Sequence, residues 1–188
     1  MDGDCERADF PLLYGRLKDR NSLCLQCGLC CNGAIFGDVK LQPGESSRRL
    51  KQLGLPLLPG RAGCAARFTQ PCCAFQNGLC QIYAERPHHC REFECLLLKR
   101  VHAGDVEYSE ALRTVQTARK RLAGVCTLLR ELGDKDEGVA LKLRVQRVSR
   151  RLQRNVPNAR TADLFGQLTL AFHDLNLLLS QEFYPVGV

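Results

Sequence analysis

Eight residues constrain this chain more than any others: Cys24-Leu25-Gln26-Cys27-Gly28-Leu29-Cys30-Cys31 packs four thiols into one short segment. Ten of the twelve cysteines lie between Cys24 and Cys95, against one Met, no Trp and four Tyr, a balance that packing alone does not call for. A C-x-x-C spacing lets two thiolates reach one metal while the amides of a tight turn point at their sulfurs. Cys24, Cys27 and Cys30 also reproduce the C-x-x-C-x-x-C run that holds three irons of a cubane cluster, without the Cys-Pro that follows it in bacterial ferredoxins. A fourth ligand then has to come from elsewhere. Cys72, Cys73, Cys80, Cys90 and Cys95 form a second group able to supply it.

An exported disulfide scaffold also has an even cysteine count. The start Met1-Asp2-Gly3-Asp4-Cys5-Glu6-Arg7, however, is acidic and polar, without the basic start and apolar stretch of a secretory signal. The expectation is a cytoplasmic chain with reduced thiols. Adjacent Cys30-Cys31 and Cys72-Cys73 also fit a disulfide framework poorly, because a bond between neighbours is strained. The sequence has no run of about 18 apolar residues, which excludes a membrane span. The net charge of +7, from 27 basic and 20 acidic residues, is compatible with nucleic acid or an acidic protein surface and names neither.

The chain reads as two unlike halves, a cysteine-cluster module over 1–104 and a helical segment over 105–188, with no internal repeat. Tyr108, Leu112, Val115, Ala118, Leu122, Val125, Leu129 and Leu132 recur at helical steps and Gly133 follows as a stop. A second series from Leu141 to Val156 ends at Pro157; a third from Leu164 to Leu178 has Thr161 as its cap candidate. These three helices pack on the module or offer a surface to a protein partner. In the first half the pattern predicts a short helix from Gly44 to Leu53, a loop from Pro56 to Gly63, and a hairpin over residues 71–83 turning at Asn77-Gly78. Pro87 then starts a helix running towards Val101, with Gly104 beyond its end. The predicted class is α+β, mainly helical. If residues 76 and 79 pair across the turn, strand alternation puts Cys73 and Cys80 on one side and Cys72 on the other, which favours Cys73 as a ligand.

The two cysteine blocks resemble the YkgJ-type cysteine-cluster proteins, whose domain is described as zinc- or iron-chelating with a C-x-x-C-x-x-C-C signature. Cys80-Gln81-Ile82-Tyr83, Arg86-Pro87, Cys90-Arg91 and Cys95 stand in that family's order and spacing, and the likeness covers about residues 24 to 95. It implies chelation without a settled reaction. Where the family has Cys-Pro-Phe-Leu this chain has Cys72-Cys73-Ala74-Phe75, so the resemblance points to Cys72 while hairpin register points to Cys73, and both stay candidates. Cys64 falls outside the pattern. A similar cysteine domain in flagellin lysine methylases implies a methylation-linked alternative.

Thiolates suit zinc and iron–sulfur clusters alike; the triple spacing tilts the choice to iron–sulfur, with zinc as the alternative. Eight or more thiols exceed one tetrahedral site. Either one cluster leaves several cysteines structural, or two centres share the module, with adjacent Cys30 and Cys31 pointing to different ones. Around this metal set, which comprises Cys24, Cys27, Cys30, Cys31, Cys72, Cys73, Cys80, Cys90 and Cys95, supporting roles fall to Arg86, Arg91, His88 and His89. The bland readings are a solvated charge for each arginine and a polar helix start for the histidines. Tyr83 and Phe93 read as packing residues, Cys126 as part of an apolar helix face, and Cys5 as remote from the site.

From Gly138 to Arg160 there are seven basic residues and no acidic one, and Arg144, Arg147, Arg151 and Arg154 share a helical face that could track phosphates. No aromatic residues interleave them to stack bases, so a solvated face is the plainer account. Three functions follow from the sequence: a metal-binding protein with a structural or cluster-carrying role, an iron–sulfur redox or protein-modifying enzyme, and a basic nucleic-acid binder with structural zinc. No nucleophile–base arrangement or glycine-rich phosphate loop settles whether it is an enzyme.

Overall fold

The architecture, described from a computed structural model that covers residues 22–60, 65–154 and 157–184, is mainly helical, with two small antiparallel strand pairs. Cys5, Cys64 and the N-terminal segment on which the cytoplasmic reading rests lie outside the described residues, as does Val156 at the end of the second helical series. Among the described residues no helix is long and apolar enough to cross a membrane.

Two 24-residue helices dominate, α5 (Tyr108–Glu131) and α7 (Ala159–Glu182), each about 36 Å long at 1.5 Å per residue. Their apolar stripes meet along Val115, Val125, Leu129, Leu168, Leu175 and Leu179, all buried. α5 ends as its sequence predicts: Gly133 takes φ +83°, a value that favours glycine, and the Asp134 N–H donates to the Leu129 carbonyl at 2.8 Å. The cap of α7 is Asn158 rather than Thr161. Asn158 Oδ1 accepts the Thr161 N–H at 2.9 Å, which places Thr161 inside the first turn.

Between them in sequence lies α6 (Leu141–Arg154), which buries Leu141, Arg144 and Val148 and leaves Arg147, Arg151 and Arg154 exposed. Arg144 is buried and donates to Asp134 Oδ2 at 2.7 Å; Arg147 reaches Asp134 at 2.7 Å and Asp136 at 3.0 Å; Arg151 donates to the Leu132 carbonyl. Three of the four arginines expected along a phosphate-tracking face thus hold the α5–α6 connection.

The cysteine-rich half is built from short pieces. α1 (Ser22–Cys27) carries the first C-x-x-C, and α2 (Ser47–Gln52) is capped by Ser46 and followed by Gly54 at φ +86°. β1 (Asp38–Lys40) pairs with β2 (Arg67–Thr69), an element the sequence reading did not include. β3 (Phe75–Gln76) and β4 (Leu79–Cys80) form the expected hairpin, with Gln76 opposite Leu79 and positive φ at Asn77 and Gly78. The predicted helix from Pro87 is broken into α3 (His88–Glu92) and α4 (Leu96–Ala103), because Cys95 sits extended between them and its sulfur caps α4 by accepting the Leu98 N–H.

The 104 boundary does not separate two cores. Leu23, Leu29, Leu97 and Leu98 pack into the same cluster as α5 and α7, and the Leu141 N–H donates to the Gly33 carbonyl at 3.0 Å. A second, smaller core of Val39, Leu41, Leu50, Leu55 and Phe68 belongs to the cysteine-rich half alone.

Candidate metal centre

Eight cysteines from five separate segments line one cavity of about 110 Å³: Cys24, Cys27, Cys30 and Cys31, then Cys72, Cys80, Cys90 and Cys95. Each arrives for a local reason. Cys24 and Cys27 stand one turn apart on α1, on a shared helix face. Gln26 anchors that helix to α5, its side chain donating to Tyr108 Oη at 2.8 Å and its carbonyl accepting from Arg119 at 3.0 Å. Gly28 ends α1 at φ +67°, and a Cβ there would overlap the Phe75 ring; the chain then turns tightly, with the Cys31 N–H on the Gly28 carbonyl at 2.9 Å. Glycine after the second cysteine is therefore required twice, by backbone conformation and by the ring against it.

The second block is brought to the first by backbone bonds. The Cys72 N–H donates to the Cys31 carbonyl at 2.8 Å, and the Phe75 N–H closes a turn on the Cys72 carbonyl at 2.9 Å. That turn keeps residues 72–74 out of the strand, so the alternation expected to favour Cys73 does not reach it. Cys72 lines the cavity, whereas Cys73 is exposed and its Sγ donates to the Gly54 carbonyl at 3.3 Å. Cys80 enters on β4 opposite Phe75, Cys90 on α3, and Cys95 as the cap of α4.

Burial is the largest cause of raised thiol pKa here, with neighbouring sulfurs adding to it. Cys27 is pushed up to about 12 by burial and then by Cys95 and Cys24, partly offset by the Leu29 amide. Cys30 is raised well above its ordinary value by burial, with Cys27, Cys31, Cys95 and Cys24 adding. Cys31 reaches about 12 through burial and then Cys80, Cys72 and Cys90; Cys90 reaches about 12 through burial and then Cys72 and Cys80. Cys24 presents an exposed edge, yet enough protein surrounds its sulfur to raise it to about 11 by desolvation, with Cys95 next. Without metal these thiols are neutral near pH 7.

Arg86 also lines the cavity, its guanidinium 3.7 Å from the Tyr83 ring centroid, and its charge lowers both Cys24 and Cys90. Its Nε is buried without a hydrogen-bond partner, as is Gln70 Oε1, a cavity group that sequence reasoning missed because nothing in its spacing marks it. His89 stacks on Phe93 and meets Phe36 edge-on at the cavity wall, so its ring serves an aromatic cluster. His88 and Arg91 are exposed and border a separate open groove with Glu45 and Arg49. Of the four expected supporting residues, Arg86 and His89 therefore reach the thiols' cavity, and His88 and Arg91 lie on the groove.

The donor set fits a soft thiophilic centre: eight sulfurs, one cation and apolar walls including Leu29, Phe36 and Leu97. Among the described residues, no three His, Cys, Asp or Glu side chains already stand where they could grip a metal ion. The sulfurs surround a space instead of converging on a point. Comparisons with protein families, with curated proteins and with solved structures found no match to this chain.

Proposed function

We propose that this chain is an iron–sulfur protein whose centre is ligated by cysteine thiolates from both blocks and organises the loop-rich segment between Cys31 and Cys95. The observation that carries this reading is the gathering of eight thiols from distant parts of the sequence around one cavity. Uncharged thiols pack as small apolar groups, but a core assembled for packing would draw on leucine, valine and phenylalanine as the two flanking cores do. The cavity volume favours a cluster over a bare ion. Four thiolates bound to zinc at 2.3 Å stand about 3.8 Å apart and close on the metal, whereas about 110 Å³ is several times the space one water needs. The resemblance of residues 24–95 to the YkgJ-type proteins implies chelation of zinc or iron and does not choose between them.

When bound, such a cluster supplies a one-electron redox centre as well as a cross-link. The chain's own residues hold it: the sulfurs ligate, Arg86 offsets their negative charge, and the apolar walls keep water away. Binding must displace thiol protons, so it is coupled to pH. A role as a basic nucleic-acid binder has less support, since Arg144, Arg147 and Arg151 are engaged in holding the α5–α6 connection.

Anaerobic purification followed by iron, sulfide and zinc analysis and an absorbance spectrum tests the proposal. A brown protein with a broad band that bleaches on reduction is expected. A colourless protein containing zinc would replace the cluster by a thiolate zinc site, and a protein that takes up neither metal would end the reading.

A further inference from the structure

We propose that the eight thiols form two separate four-sulfur centres, Cys24, Cys27, Cys30 and Cys95 in one and Cys31, Cys72, Cys80 and Cys90 in the other, meeting at the Cys30–Cys31 peptide. This rests on the metal-binding reading above and specifies how many centres the site holds.

The division follows the two apolar cores. Cys27 and Cys95 pack against the large core shared with α5 and α7, while Cys72 and Cys90 pack against the small core under the strand pair β1–β2. Cys24 joins the first set through its helical spacing to Cys27 on α1. Cys31 joins the second because its carbonyl accepts the Cys72 N–H at 2.8 Å; Cys80 joins it through the short turn and hairpin that separate it from Cys72. Consecutive side chains diverge, so adjacent Cys30 and Cys31 serve opposite sides more readily than one. The break between α3 and α4 has the same effect on the other edge: Cys90 lies on α3, Cys95 caps α4 from within the break, and the two pack on different cores.

The arithmetic of ligation agrees. Four thiolates complete either a tetrahedral ion or a cubane cluster, eight complete two, and Cys73, which would make nine, is the cysteine of the second block that stands off the cavity. Two centres bearing thiolate charge repel each other, and the cavity holds a cation placed to relieve this. Arg86 acts on Cys24 of one set and Cys90 of the other, and its buried Nε is left without a protein partner.

The test is metal stoichiometry on the full-length chain, reconstituted anaerobically with iron and sulfide or with zinc alone. The wild type should hold two equivalents of centre, about eight irons for two cubanes or about two zinc ions. Cys27→Ser and Cys80→Ser should each halve that value, and Cys73→Ser should leave it unchanged. As a measure independent of variant folding, the reduced wild-type iron protein should show an electron paramagnetic resonance spectrum split by interaction between neighbouring clusters. One equivalent in the wild type, or an uncoupled single-cluster spectrum from it, would overturn the two-centre assignment while leaving metal binding intact. Binding of no metal at all would overturn both.

Discussion

Cys72 and Cys73 are chemically identical and adjacent, so their fates are decided by backbone alone. The turn closed by the Phe75 N–H on the Cys72 carbonyl points the first into the cavity, and the Gly54 carbonyl holds the second outside. Cys72→Ser is expected to lower bound metal by about half if two centres exist and to abolish it if there is one, whereas Cys73→Ser retains it; elemental analysis of both variants checks this. The same residues set a pH dependence for the metal-free chain. Thiols with an ordinary pKa of 9.0 are raised to about 11 in Cys24 and about 12 in Cys27, Cys31 and Cys90, because burial disfavours the thiolate. A group whose folded pKa lies above its unfolded one contributes stability that is complete below the unfolded value and is lost as pH rises through the folded one. Denaturant midpoints of reduced, chelated protein should therefore hold steady up to about pH 9 and fall between there and pH 12. Metal uptake has the opposite slope, since ligation releases those protons and is favoured as pH rises. A metal-free midpoint that climbs above pH 9 would contradict the burial of these sulfurs.

Two short connections carry much of the architecture. Gly28→Ala puts a methyl group into the Phe75 ring at a backbone angle that favours glycine, with an expected cost of about 1–3 kcal/mol in thermal or denaturant unfolding and a drop in metal content, because the turn it distorts aims Cys30 and Cys31. At the α5–α6 connection, Arg144 and Asp134 have side chains only 5% exposed, so Asp134→Ala leaves a buried guanidinium without its carboxylate. About 3–5 kcal/mol of destabilisation is expected, with metal content retained in whatever fraction remains folded. These connections also mark how far the sequence could be read. The stripes of α5 and α7 are legible because twenty-odd residues repeat one period, and Asn77-Gly78 is legible because a two-residue turn with positive φ at both positions favours that pair. Pairing of Asp38–Lys40 with Arg67–Thr69 is not, since three-residue strands far apart in sequence leave no periodic trace. Nor is the break before α4, where a cysteine sulfur does the capping normally done by serine or asparagine. The spacing of the two cysteine blocks is legible, and eight of their thiols do line one cavity, while the choice between Cys72 and Cys73 depends on a turn that spacing does not encode.

At the scale of the whole molecule, the sharing of the large core decides what metal removal does. A cysteine half that folded by itself would collapse entirely on chelation while the helices stayed intact. Here α1, the turn after it and α4 pack into the core shared with α5 and α7 through Leu23, Leu29, Leu97 and Leu98, contacts that owe nothing to metal. Among the described residues, the segment from β1 to α3 is held by the small core of Val39, Leu41, Leu50, Leu55 and Phe68, two short strand pairs and the exposed Arg49–Glu85 ion pair. Small cores stabilise weakly, and loop-rich segments of this size commonly depend on a cross-link. Hydrogen exchange before and after anaerobic chelation should therefore show protection lost over residues 38–92, retained in α5 and α7, and reduced but present in α1 and α4. The accompanying loss of helical circular dichroism should be small, because α2 and α3 contribute only 6 and 5 residues. Uniform protection before and after chelation would mean that the small core stands alone and the thiols bind nothing that matters to the fold. Cooperative loss throughout, α5 and α7 included, would mean that the shared core itself depends on the centre.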